Sequence, residues 1–149
     1  MTASEPELAA WRRWLAYFWF LWGASLSYWG LRTHEVGLFR WAVASYSRAA
    51  RVWPGFSAAY YRRGELRSRE LHEHAEAIRD LTRAIAIAPE WPDSYLQRGL
   101  IQRFHGDGRA ALADLNQFVA LAPDSSWREE AERQIRQIED DLGNTAPPA

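Results

Sequence analysis

Small and apolar residues recur along most of this chain at helical spacing, and prolines close three segments of similar length, at Pro54, Pro89 and Pro123. Between Pro54 and Pro89 one apolar-periodic run covers about 57–71 and a second about 74–88. Gly64, Ala77 and Ala84 leave room for two helix backbones to approach, while Tyr60, Ile78, Leu81 and Ile85 fill the space around that crossing. Proline ends the second run because it lacks an amide donor and clashes with the preceding turn. Ser57 and Asp93 stand where N-caps would open the following helices. His105-Gly106-Asp107-Gly108 supplies residues that tolerate positive φ, so it breaks the last segment into two helices. The pattern predicts an all-α chain built from antiparallel helix pairs.

The segments also share an internal register. Gly30, Ala42, Tyr46, Ala49 and Pro54 align with Gly64, Ala77, Leu81, Ala84 and Pro89, and with Gly99, Ala111, Leu115 and Pro123. A period near 34 with this order resembles the tetratricopeptide repeat (TPR). Gly37 and Phe39 stand where that family has its inter-helix glycine and aromatic. Phe118 departs by replacing a usual alanine, and the second segment carries one extra residue near 72–74. The resemblance covers about 23–123 and implies a helical solenoid, with repeats at 23–56, 57–91 and 92–125, that holds other proteins and is not an enzyme. The alternative is a helical bundle whose spacing is accidental. Beyond Pro123, Ala131, Ile135, Ile138 and Leu142 form one stripe on a charged helix, predicting a capping helix over 126–143 that covers the last apolar face. Residues 144–149 are expected to form a disordered tail.

The N-terminal segment follows another pattern. Ser4 and Glu7 form a capping box with Pro6 in the first turn, so a helix starts there. Arg12 and Arg13 follow, and then no charged residue occurs from Trp14 to Leu31. Such a stretch, over 1–31, predicts a membrane-anchoring helix that runs into the first repeat, with Trp14, Phe18, Trp19, Leu21, Trp22 and Trp29 facing lipid or a partner. The competing expectations are burial against protein and a cleaved signal peptide. An interfacial amphipathic helix is set aside because the stretch shows no polar face of its own. The arginines that follow the span favour a single-pass topology with the repeats on the cytoplasmic side.

Composition narrows the chemistry. Nine tryptophans are present, seven at or before Trp53, so the aromatic excess is local to the N-terminal third. Cysteine is absent, which removes disulfides and thiol chemistry. Every basic residue is arginine, a codon bias of the kind found in GC-rich bacteria. The net charge of −1, with arginines and acids both spread along the chain, gives no nucleic-acid footprint. His72 and His74 lie two apart and would face different directions on a helix, so they share no metal. Asp80, Asp114, Asp140 and Asp141 are expected on solvated helix faces. No nucleophile motif or phosphate loop occurs, and no catalytic residue, metal, cofactor or small-molecule substrate is expected.

Surface recognition remains. The resemblance places Ser27, Leu31 and His34, then Tyr61, Glu65 and Arg69, then Leu96, Leu100 and Arg103, along a partner-binding groove. TPR domains that clamp acidic chaperone tails use Lys, Asn and Arg there. The matching positions here hold Ser27, Leu31, Arg62, Asp93 and Gln97, which is not that clamp. The leading expectation is a membrane-anchored scaffold, an accessory subunit or assembly factor of a larger membrane complex. The alternatives are a soluble TPR adaptor whose aromatic N-terminus packs on a partner, and a membrane subunit in which His34 and the aromatics contact a pigment or other cofactor.

Overall fold

The computed structural model describes residues 5–144, with side chains described for 10–143; the Ser4–Glu7 capping box and the 145–149 tail lie outside these. Among the described residues seven helices follow one another: α1 (Glu5–Thr33), α2 (Val36–Val52), α3 (Ser57–Arg69), α4 (His74–Ile87), α5 (Pro92–His105), α6 (Gly108–Leu121) and α7 (Arg128–Asn144). They form two compact units, residues 1–87 with α1–α4 and residues 88–149 with α5–α7.

In the first unit the α1–α2 hairpin is set by small residues seven apart. Ala16, Gly23 and Gly30 are all buried on one face of α1, because a seven-residue step returns almost to the same side of a helix. Phe39 and Tyr46 on α2, also seven apart, lie in the notches. A Cβ on Gly30 would stand 2.6 Å from Cε1 of Phe39, and one on Gly23 would stand 2.9 Å from Cε1 of Tyr46. Ala16 joins Ala49, Ala50, Phe56 and Ala59 in a core that continues into α3. The turn comes early. α1 stops at Thr33 with His34 in the left-handed region at φ 58°, and α2 begins at Val36. Gly37, expected between the helices, therefore lies inside α2, with nothing within 4 Å of where its Cβ would be.

The predicted transmembrane anchor is corrected by the same hairpin. Among the described residues no helix is long and apolar enough to cross a membrane. α1 has the length, at 29 residues, but its uncharged stretch is largely Trp, Tyr, Ser and Gly, which gain little from hydrocarbon. One face of it is already occupied by α2. Trp19, expected to face outward, is half-buried in the α1–α3 core, with the Arg48 guanidinium 4.6 Å from its ring centroid.

Two helix pairs carry a charge lock that the solvated-face expectation missed. Asp80 on α4 is buried and receives Arg63 in a two-point contact, Nε to Oδ2 at 2.8 Å and Nη2 to Oδ1 at 2.5 Å, while Arg67 Nη1 donates to Oδ2 at 2.8 Å. In the second unit Arg98 makes the same fork to buried Asp114, both bonds at 2.7 Å. A buried carboxylate is tolerable only when paired this way. Each arginine stands one residue before a glycine, Gly64 or Gly99, that lets Leu81 or Leu115 approach, so the close helix contact brings the charges together. At the corresponding places the first hairpin has Trp29 and Ser45, and Ser45 bonds only to its own helix. Asp140 and Asp141 are exposed.

The second unit closes on Leu96, Ala111, Leu115, Phe118, Ala131 and Ile138. Phe118, the departure from the usual alanine, is 1% exposed there. α7 lays Ala131, Ile135, Ile138 and Leu142 against that core. Helix starts differ from expectation: Phe56 and Trp91 hold the N-cap positions of α3 and α5 without side-chain bonds, since Ser57 and Asp93 already lie within the helices. Asp107 caps α6 by accepting from the Arg109 amide at 2.9 Å.

Replacing Gly30 by valine should lower stability by about 1–3 kcal/mol, because the added atoms meet the Phe39 ring. Gly37→Ala should leave it unchanged or raise it by up to ~1 kcal/mol; urea denaturation followed by circular dichroism separates the two. Asp80→Ala leaves two guanidinium groups without their buried partner and should cost about 3–5 kcal/mol in the same assay.

Candidate functional site

A cleft of about 130 Å³ opens in the first unit, lined by Ser27, Leu31, Tyr46, Arg62, Glu65, Leu66, Arg69 and Glu70. α1 supplies Ser27 and Leu31 one turn apart, α2 supplies Tyr46, seated against Gly23, α3 supplies Arg62, Glu65, Leu66 and Arg69 at helical spacing, and Glu70 follows as its C-cap. The Tyr46 hydroxyl lies 3.4 Å from Ser27 Oγ, which itself donates to the Gly23 carbonyl at 2.9 Å. Burial pushes the Tyr46 phenol above its ordinary value, and the Ser27 contact only partly offsets this. It is therefore a neutral hydroxyl able both to donate and to accept. At the rim, Glu65 accepts from Arg62 at 2.9 Å and from Arg69 at 3.4 Å. Both guanidinium groups are more than half exposed and keep free donors toward solvent. The cleft thus joins an apolar wall to a charged rim in which Arg62 and Arg69 stand beside Glu65 and Glu70.

Of the nine residues expected along a groove, Ser27, Leu31, Glu65 and Arg69 meet in this cleft. His34 is exposed at the α1–α2 turn and Tyr61 is buried. In the second unit Leu96 belongs to the core, with Leu100 packed against it. There Arg103 donates to Gln137 Oε1 at 2.8 Å and lines a separate hollow with Phe104, Gly108, Ile138, Asp141 and Leu142. Sequence reasoning missed Tyr46, Leu66 and Glu70 as cleft residues; a tyrosine at a position filled by leucine in the other repeats was the available signal. Among the described residues no group of three or more His, Asp or Glu side chains is placed to hold a metal. His72 sits at φ 56° in the α3–α4 turn, with its ring 6.1 Å from that of His74.

Trp14, Phe18, Leu21, Trp22 and Trp29, expected to face lipid or a partner, are exposed on α1, and Trp11 and Tyr28 stand out with them.

No family model matches the chain, and no curated protein matches it. Solved structures do. The Arabidopsis OM64 TPR domain superposes with a TM-score of 0.73 at 22% identity, covering 85% of this chain and 98% of that one. The TPR2B domain of yeast Sti1, in a complex with Hsp70, gives 0.71 at 19% identity over 85% and 97%. The first TPR of Spaghetti (RPAP3), bound to the HSP90 peptide SRMEEVD, gives 0.67 at 21% identity over 83% and 95%. The fold is that of a TPR domain, an all-α helical solenoid.

The raised Tyr46 value fixes a sign. An acid held protonated by folding contributes fully below its unfolded value near 10.0, and that contribution is lost as pH rises through the higher folded value. Alkaline denaturation should therefore be shallower for Tyr46→Phe than for the parent chain, measured by helicity between about pH 9 and 12.

Proposed function

We propose that this chain is a protein-interaction adaptor that takes a peptide segment of its partner into the α1–α2–α3 cleft. The observation that carries this reading is that Leu31, Leu66 and Tyr46 line one open cleft together with Arg62 and Arg69, whose exposed guanidinium groups keep donors beyond those given to Glu65. That arrangement suits a segment with one apolar side chain followed closely by a carboxylate, since an exposed guanidinium fork favours such a group. The similar domains of RPAP3 and Sti1 are described with chaperone peptides or chaperones. Here Ser27, Leu31, Arg62, Asp93 and Gln97 stand at the positions matched to the Lys, Asn and Arg of a chaperone-tail clamp, so a peptide of different sequence is the better fit.

A membrane-anchored scaffold is the weaker reading, because α1 could enter a bilayer only by surrendering its notches. Phe39 and Tyr46 would lose their seats, and the cleft would lose the α1 wall. The soluble-adaptor alternative keeps both. Catalysis has no support in the cleft, which holds no nucleophile paired with a base.

A C-terminal peptide library selected on the full chain should return sequences with an apolar residue near a terminal carboxylate. Isothermal titration should then show at least tenfold weaker binding for Leu31→Asp and for the Arg62→Glu, Arg69→Glu pair, about 1.4 kcal/mol or more. Unchanged affinity in both variants would move the binding surface away from this cleft.

A further inference from the structure

Most of the exposed aromatic side chains of α1, with Leu21, are gathered on one line; Tyr17 lies off it, against Trp53 and Phe56. Trp11, Trp14, Phe18, Leu21, Trp22, Tyr28 and Trp29 recur at steps of one, three, four and six residues, a spacing that confines them to a single stripe on the side away from the Ala16, Gly23 and Gly30 notches. Trp14 is 78% exposed. Only Ser25 interrupts the stripe before Arg32, and it runs roughly 27 Å along the helix at ~1.5 Å per residue. The first helix of a repeat stack ordinarily turns a polar outer face to water. This one does not.

Charge gives the second observation. The near-neutral total conceals a division: residues 1–53 contain six arginines and three carboxylates, whereas residues 54–149 contain twelve arginines and sixteen carboxylates. Arg12, Arg13, Arg32, Arg40, Arg48 and Arg51 are all exposed. None of them takes part in an ion pair among the described residues. The aromatic hairpin is a cationic surface inside an otherwise acidic chain.

We propose that the α1 stripe docks on the surface of an anionic lipid bilayer, with α1 lying in the interfacial plane and Arg12, Arg13 and Arg32 among the headgroups. An interfacial helix needs an apolar side and a side compatible with water. α1 has no polar side of its own, but its second side is covered by α2, so the folded hairpin supplies what the isolated sequence lacks. Trp and Tyr are the side chains that settle at headgroup depth, with the ring in the acyl boundary and the polar atom toward water. Leu and Ile would instead be expected in a span. A second copy is a poor occupant, because stripe-to-stripe contact would bring two sets of unpaired arginines together. A bilayer offers apolar boundary and negative charge at one depth along the whole stripe.

Flotation of the full chain with vesicles tests this. The protein should rise with vesicles in which about a third of the lipid is phosphatidylglycerol. It should bind phosphatidylcholine alone much less, and lose binding as salt rises from about 0.1 M to about 0.5 M. Trp14→Ser, Leu21→Ser and Trp22→Ser together should abolish flotation with helicity unchanged, since all three are exposed, and Arg12→Glu with Arg13→Glu should weaken it at least tenfold. Trp127→Ser, in the turn before α7, should have no effect, nor should Leu31→Asp, which separates this surface from the peptide cleft. Brominated lipids should quench tryptophan more strongly from shallow than from deep acyl positions. The proposal is overturned if the chain fails to float with anionic vesicles, or if quenching is strongest at the bilayer centre. It is equally overturned if the triple-serine change removes self-association or binding to a protein while flotation is unaffected.

Discussion

The rest of the first unit depends on the fit between glycine notches on α1 and aromatic rings on α2. Gly23 and Gly30 admit Tyr46 and Phe39 at distances that no Cβ would allow. That fit decides which side of α1 is inside. It seats the Tyr46 hydroxyl at the cleft beside Ser27, and it turns Trp11, Trp14, Trp22, Tyr28 and Trp29 of α1 to the outside. The cleft and the aromatic stripe are two results of one packing choice.

Charge does comparable work in the hairpins that lack aromatic notches. Arg63 binds Asp80 across α3–α4, and its remaining donor reaches Ser47 Oγ on α2 at 2.9 Å. One side chain therefore closes its own helix pair and fastens it to the preceding one. Arg98 and Asp114 repeat the closure in the second unit, where Phe118 fills the core. A hydrogen-bonded pair of this kind favours one register of the two helices over others, because sliding by a residue strands both charges.

Much of this was legible in the sequence. Proline-closed segments with glycine and alanine in register mark helices that pack closely, and the α7 stripe is plain in the spacing of Ala131, Ile135, Ile138 and Leu142. The first turn was not legible, because Gly37 looks like a helix breaker while the true turn uses His34 at positive φ. Asp80 and Asp114 were misplaced because charge alone suggests solvent; their arginine partners stand 17 and 16 residues earlier, a relation visible only once the hairpins are aligned. α1 was hardest. Its two sides differ as small against large rather than as apolar against polar, so the uncharged run resembled a membrane span. The arginine excess of the same region disappears in a whole-chain total.

The seven-residue spacing of the notches has a consequence for mechanical slippage. Glycines at 23 and 30 facing rings at 39 and 46 form a pattern that would match itself again after a shift of one heptad, placing Tyr46 over Gly30. Such a shift displaces the helices by about 10 Å at 1.5 Å per residue. Only His34 and Glu35 join α1 to α2, too little chain to absorb it without unwinding a helix end. The hairpin is a ratchet with its second tooth out of reach, so shear along α1 meets a rigid stop instead of a competing minimum.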